Sequence, residues 1–158
     1  MSRPSHDIRQ PMNKSAWEEY EEYYFDALKD IQIPEDIDAS DLMRISSELS
    51  AIFTYARFDY MYIKRHYEKL KRQMKRAEKQ AYMAVKALGK NDKEREGLVN
   101  KYLEDNMLFG YPVTMYDAID IYEERAFFME AVLDDLRDKS AKLITGNGAL
   151  KLDVELQK

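Results

Sequence analysis

The chain has 158 residues, 45% hydrophobic and 35% charged, with five glycines, four prolines and no cysteine. That bounds it to one soluble domain of long uninterrupted elements and removes disulfides, thiol catalysis and cysteine-type zinc sites. The net charge of −5 argues by itself against a polyanionic partner, but the charges are segregated. From Trp17 to Asp41 one cation, Lys29, stands against ten carboxylates, whereas from Lys64 to Lys79 eight cations outweigh Glu68 and Glu78.

Residues 1–13 are polar, contain Pro4 and Pro11, and read as a flexible tail. Met1–Met12 has no apolar core of the signal-sequence kind, and no apolar run is long enough for a bilayer, so the expectation is a cytoplasmic chain with no membrane role. Ser15-Ala16-Trp17-Glu18 fits a capping box. Trp17, Tyr20, Tyr24, Leu28 and Ile31 then mark an acidic amphipathic helix to about residue 31, and Pro34 with the acidic run to Asp38 closes a first segment, 14–38.

The next helix, capped by Ser40 or Asp38, is predicted to run to about Leu88, where Gly89 is a termination signal. At roughly 50 residues it would be about 75 Å long. Its apolar residues repeat every seven: Phe53, Tyr60, Tyr67, Met74, Ala81 and Leu88 in one seam, Ala56, Ile63, Leu70, Ala77 and Ala84 in the other. Leu42, Ile45, Leu49 and Ile52 precede them out of phase, which predicts a stutter near residues 49–53.

Asn91 or Asp92 should cap a shorter helix to about Glu104, followed by a break at Phe109-Gly110-Tyr111-Pro112. Thr114-Met115-Tyr116-Asp117 then opens a last helix with the seam Met115, Ile119, Tyr122, Ala126, Met129, Leu133, Leu136, Ser140 and Leu143. It is predicted to end at Gly146-Asn147-Gly148, leaving 147–158 as a C-terminal tail. The expected fold is all-α: a long antiparallel helical hairpin over residues 39–146, plus the N-terminal helix. Tyr55, Phe58, Met61, Phe127, Phe128 and Val132 fall outside the seams and need cover, either from other subunits of a homo-oligomer or from the N-terminal helix folding back.

Catalytic motifs are missing. The only histidines are His6 and His66, and there is no nucleophile elbow, no P-loop and no paired Glu-x-x-His, so the expectation is a non-enzyme without cofactor or metal. His66 reads as a partly exposed structural histidine and Gly146-Asn147-Gly148 as a helix terminus, while Glu123-Glu124 and Asp134-Asp135 read as solvated pairs.

The basic band carries the most information. Arg57, Lys64 and Lys71 share one heptad position; Arg65, Arg72, Lys79 and Lys86 share the next; Lys69, Lys75 and Arg76 lie beside them, with Tyr55, Tyr62 and Tyr82 interleaved. Cations for phosphates with rings for bases suit sequence-tolerant binding of single strands. The same charges also suit a solvated face, or one paired with the acidic N-terminal helix.

Asp26-Ala27-Leu28-Lys29-Asp30-Ile31, the Ile37-Asp38 turn and the basic long helix resemble the UvsY family of phage recombination mediators. So does Ile121-Tyr122-Glu123-Glu124-Arg125-Ala126-Phe127-Phe128-Met129-Glu130-Ala131-Val132-Leu133-Asp134-Asp135-Leu136-Arg137-Asp138-Lys139. The likeness covers roughly residues 24–145, and departs where the family commonly has Arg-Gly and this chain has Lys139-Ser140. It implies a helical homo-oligomer that binds single-stranded DNA, displaces single-strand-binding protein and loads a recombinase. A phage structural or adaptor oligomer without nucleic-acid binding is the rival reading, with the basic band paired across subunits.

Overall fold

A computed structural model describes residues 2–5, 14–105 and 115–156. The described residues form four helices, α1 (Lys14–Asp30), α2 (Ala39–Val85), α3 (Asp92–Glu104) and α4 (Met115–Leu156), with no strand among them. The chain is all-α, and none of its described helices is long and apolar enough to cross a membrane. Contacts divide it into two compact units, Met1–Met61 with Phe127–Lys158, and Tyr62–Ala126. These are called unit 1 and unit 2, and α2 and α4 each contribute to both.

In unit 1, α1 buries Ala16, Trp17, Tyr20, Tyr23 and Tyr24, the face expected from their three- and four-residue spacing. The helix starts at Lys14, so Ser15 sits inside its first turn instead of capping it. The Trp17 and Phe128 rings meet edge to face, centroids 5.9 Å apart, and Phe25 meets Phe128 at 5.8 Å. Phe128 is therefore covered by the chain's own N-terminal helix, and Val132 is buried, while Tyr55, Phe58 and Phe127 remain exposed. Residues 2–5 depart from the expected free tail. Arg3 forms an ion pair with Asp59, and the Pro4 carbonyl accepts from the Tyr20 hydroxyl at 3.5 Å.

Asp38 caps α2, its Oδ1 accepting from the Asp41 N–H at 2.7 Å and its carbonyl from Leu42 at 3.0 Å. The helix ends at Val85, and residues 86–88 turn. Gly89 does not adopt a left-handed conformation there. Its role is steric, since a Cβ would lie 2.5 Å from Arg95 Cγ.

The buried residues of α2 also differ from the predicted seams. Ala56, Ile63, Leu70, Met74 and Ala81 are buried as predicted, but Phe53, Tyr60, Tyr67 and Ala77 are half-buried, and Ala84 and Leu88 are exposed. Buried positions recur at seven residues, Leu49, Ala56, Ile63 and Leu70, then Met74 and Ala81, and also at eleven, as in Ile45 and Ala56, Ile63 and Met74, Leu70 and Ala81. Eleven residues make about three turns of a straight helix, whereas a heptad stripe drifts by about 20° each repeat.

In unit 2, Asn91 caps α3 by accepting from the Glu94 N–H at 2.9 Å, and Glu94 Oε2 accepts from the Lys90 N–H at 2.7 Å. Leu103, Ala118 and Tyr122 are buried, and Ile119 and Ala126 are half-buried. In the unit 1 part of α4, Met129, Leu133, Leu136 and Leu143 are buried as predicted, and Ser140 is half-buried. The helix then continues through Gly146-Asn147-Gly148 to Leu156, contrary to the expected stop and tail. Glycine costs a helix interior about 1 kcal/mol against alanine without forbidding it. At Gly146 the absence of a side chain leaves room for Ile37, which a Cβ would strike. His6, the break at 109–112, the Thr114 cap and the Met115 side chain lie outside the described residues.

Replacing buried Ile63 with alanine should lower the unfolding free energy by about 2–5 kcal/mol, whereas Leu88→Ala at an exposed position should change it by no more than about 0.5 kcal/mol. Urea denaturation followed by circular dichroism checks the contrast, which reverses if Leu88 is a core residue.

Candidate nucleic-acid interface

Lys64, Arg65, Lys69, Lys71, Arg72, Lys75, Arg76 and Lys79 all lie on the unit 2 part of α2, and all are exposed. At 100° per residue they occupy an arc of about 160°, whose centre is about 155° from that of Ile63, Leu70, Met74, Ala81 and Val85. The cations therefore face outward because the apolar stripe faces inward. Long aliphatic stems let such a surface hold its charges well clear of the helix backbone.

The ion pairs seen in unit 2 are local. Lys71 Nζ lies 3.9 Å from Glu68 and 5.0 Å from the Tyr67 ring, and Arg95 pairs with Asp92 at 3.0 Å. Exposed contacts of the Lys71 kind are weak enough for a polyanion to displace. Tyr67 is held differently, its hydroxyl donating to Glu123 Oε1 at 3.4 Å.

The remaining predicted residues are distributed less simply. Arg57, on the same helix and within the same arc, is exposed in unit 1, with its guanidinium 5.1 Å from the Phe53 ring. Tyr62 is half-buried, at the edge of the arc. Tyr82 is exposed and lines a shallow groove with Glu78, Asp92, Arg95, Glu96, Val99 and Asn100. At 100° per residue Tyr82 falls within the same arc as the cations, with Glu78, Asp92 and Glu96 as acidic neighbours in its groove.

His66 is half-buried. Its ring meets the Tyr122 ring at 4.5 Å, and the guanidinium of buried Arg125 lies 5.1 Å from the centre of that same Tyr122 ring. Burial first, then Lys69 and Arg125, hold the imidazole below its ordinary pKa of 6.5. That shift favours the uncharged imidazole.

Two buried charges escaped the sequence reading, Arg125 here and Asp59 in unit 1. Both sit in step with apolar neighbours, Asp59 three residues after Ala56 and Arg125 between Tyr122 and Met129. A charged residue at core spacing was the available signal. Asp59 accepts from the Tyr24 hydroxyl and from Arg3. Burial raises the Asp59 carboxyl pKa against the opposing effects of Tyr24 and Arg3, and burial with the Asp59 charge raises that of Tyr24.

Among the described residues no cluster of His, Asp or Glu is placed to hold a metal ion. Comparison of the chain with protein families, with characterised proteins and with solved structures finds no match.

Because the folded His66 titrates below 6.5, the unfolded chain takes up its proton first as pH falls. The histidine's contribution to stability is complete above about pH 6.5 and is lost as pH drops toward the folded pKa. Comparing urea midpoints at about pH 7.5 and about pH 5.5, a His66→Gln variant should lose less stability than wild type over this range. An equal loss would show that His66 is not the group responsible.

Proposed function

We propose that this chain is a non-enzymatic, single-stranded-DNA-binding recombination mediator. The observation that carries the binding reading is the exposure of all eight cations from Lys64 to Lys79 opposite the buried stripe of α2. Phosphates would be neutralised by these side chains, with Tyr62 at the edge offering a ring to a base. Displacing single-strand-binding protein and loading a recombinase, in the cytoplasm of the cell that makes the chain, come from the resemblance to the UvsY family.

An antiparallel pairing of α2 with α4 belongs to the same reading. In unit 2, Tyr67 bonds to Glu123, and the Glu78 charge acts on Tyr116, so rising numbers on α2 accompany falling numbers on α4. In unit 1, Leu49, Phe53 and Arg57 share a groove with Ser140, Leu143 and Ile144. The rival reading, a structural or adaptor oligomer, is favoured by a different observation: Phe58 is 50% and Phe127 67% exposed in unit 1.

Titrating labelled single-stranded DNA across salt concentrations separates them. A mediator should bind with a log–log salt slope of about −0.7 per phosphate neutralised, and replacing Lys71, Arg72, Lys75 and Arg76 with alanine should flatten that slope by up to about 3. No binding at low salt by folded wild-type protein would sink the mediator reading and leave the assembly one.

A further inference from the structure

Unit 1 contains a polar socket for which DNA binding has no use. Asp59 is fully buried on α2, and both of its oxygens are engaged, Oδ2 by the Tyr24 hydroxyl and Oδ1 by Arg3 Nη2. The Arg3 guanidinium also lies 5.2 Å from the Tyr55 ring and 6.0 Å from the Tyr20 ring. A buried carboxylate between aromatic faces selects a cation, and favours planar, weakly hydrated guanidinium over ammonium.

The occupant enters from the surface. The Arg3 side chain keeps 34% of its exposure, and the outer part of Tyr55 is 43% exposed. Segment 2–5 is also held by the long hydrogen bond from the Tyr20 hydroxyl to the Pro4 carbonyl. Eight residues separate Ser5 from Lys14, a length of chain that reaches at most about 30 Å when extended.

We propose that this is an exchangeable arginine socket, and that its alternative occupant is Arg3 of a second copy of this chain. The site fits a group the chain itself carries, so passing the segment to a neighbour reproduces every contact, which is the condition for a swapped assembly. Unit 1 carries 19 carboxylates against 11 lysines and arginines, so a neighbour's cationic segment is also drawn to it. Exposed Phe58, three residues along α2 from Tyr55, offers apolar surface at the rim.

Two full-length variants test the exchange. Arg3→Ala keeps the socket but removes its key, and Asp59→Asn keeps the key but disables the socket. In a mixture, filling is possible only between unlike chains, so native mass spectrometry should show mixed assemblies above the random distribution. A labelled Ser-Arg-Pro-Ser peptide should bind Arg3→Ala about tenfold more tightly than it binds the Arg3→Ala/Asp59→Asn double variant. Peptide binding with random mixing overturns the second copy as occupant. Equal peptide affinity for the two proteins, both folded by circular dichroism, overturns the socket itself. If Arg3→Ala does not fold, Arg3→Gln paired with the same Asp59→Asn chain repeats the comparison with a polar group left beside the carboxylate.

Discussion

A helix of 47 residues in water holds its shape chiefly by burying one narrow face, because helix propensity alone is a weak force. On α2 that face is the stripe Ile45, Leu49, Ala56, Ile63, Leu70, Met74, Ala81 and Val85, interrupted by Asp59. Each fully buried large side chain in it contributes about 1.5–3 kcal/mol relative to exposure. With the stripe turned inward, Lys64 to Lys79 lie on the exposed side of the helix, and a surface of like charge follows from the packing behind it. Mutual repulsion among eight cations is tolerable while they lie outside the low-dielectric core.

The interruptions of the stripe matter as much as its continuity. Asp59 on that stripe, His66 beside it and Arg125 on α4 place ionisable groups where hydrocarbon would be cheaper to bury, and each is set against tyrosine: Asp59 against Tyr24, His66 and Arg125 against Tyr122. A carboxylate that must meet one hydroxyl and one guanidinium tolerates far fewer arrangements than a leucine in the same position. The high tyrosine content, 12 residues, suits this use, since tyrosine supplies apolar area and a polar tip together.

Much of the helical layout was legible from local chemistry. Asp38 and Asn91 cap helices because their short side chains reach the first free amides, and such signals need no tertiary knowledge. The buried α4 positions Tyr122, Met129, Leu133, Leu136 and Leu143 were legible for a similar reason, as a simple periodicity. What failed depended on distant partners. Gly146 reads as a terminator unless Ile37 is known to lie against it, and Arg3 reads as part of a loose tail unless Asp59 is known to be buried. Of the candidate interface, the cations were legible because charge segregates along one helix, whereas the acidic neighbours of Tyr82 were not, because they come from α3 as well as α2.

The two units differ in how they are threaded. Unit 2 is one unbroken stretch of chain, but unit 1 joins Met1–Met61 to Phe127–Lys158. On a ribosome adding about 5–20 residues per second, Trp17 and Phe25 emerge roughly 5–20 s before Phe128. Throughout that interval the aromatic face of α1 lacks the ring that later covers it, so the nascent chain presents a sticky surface that cellular chaperones are suited to shield until synthesis passes residue 128.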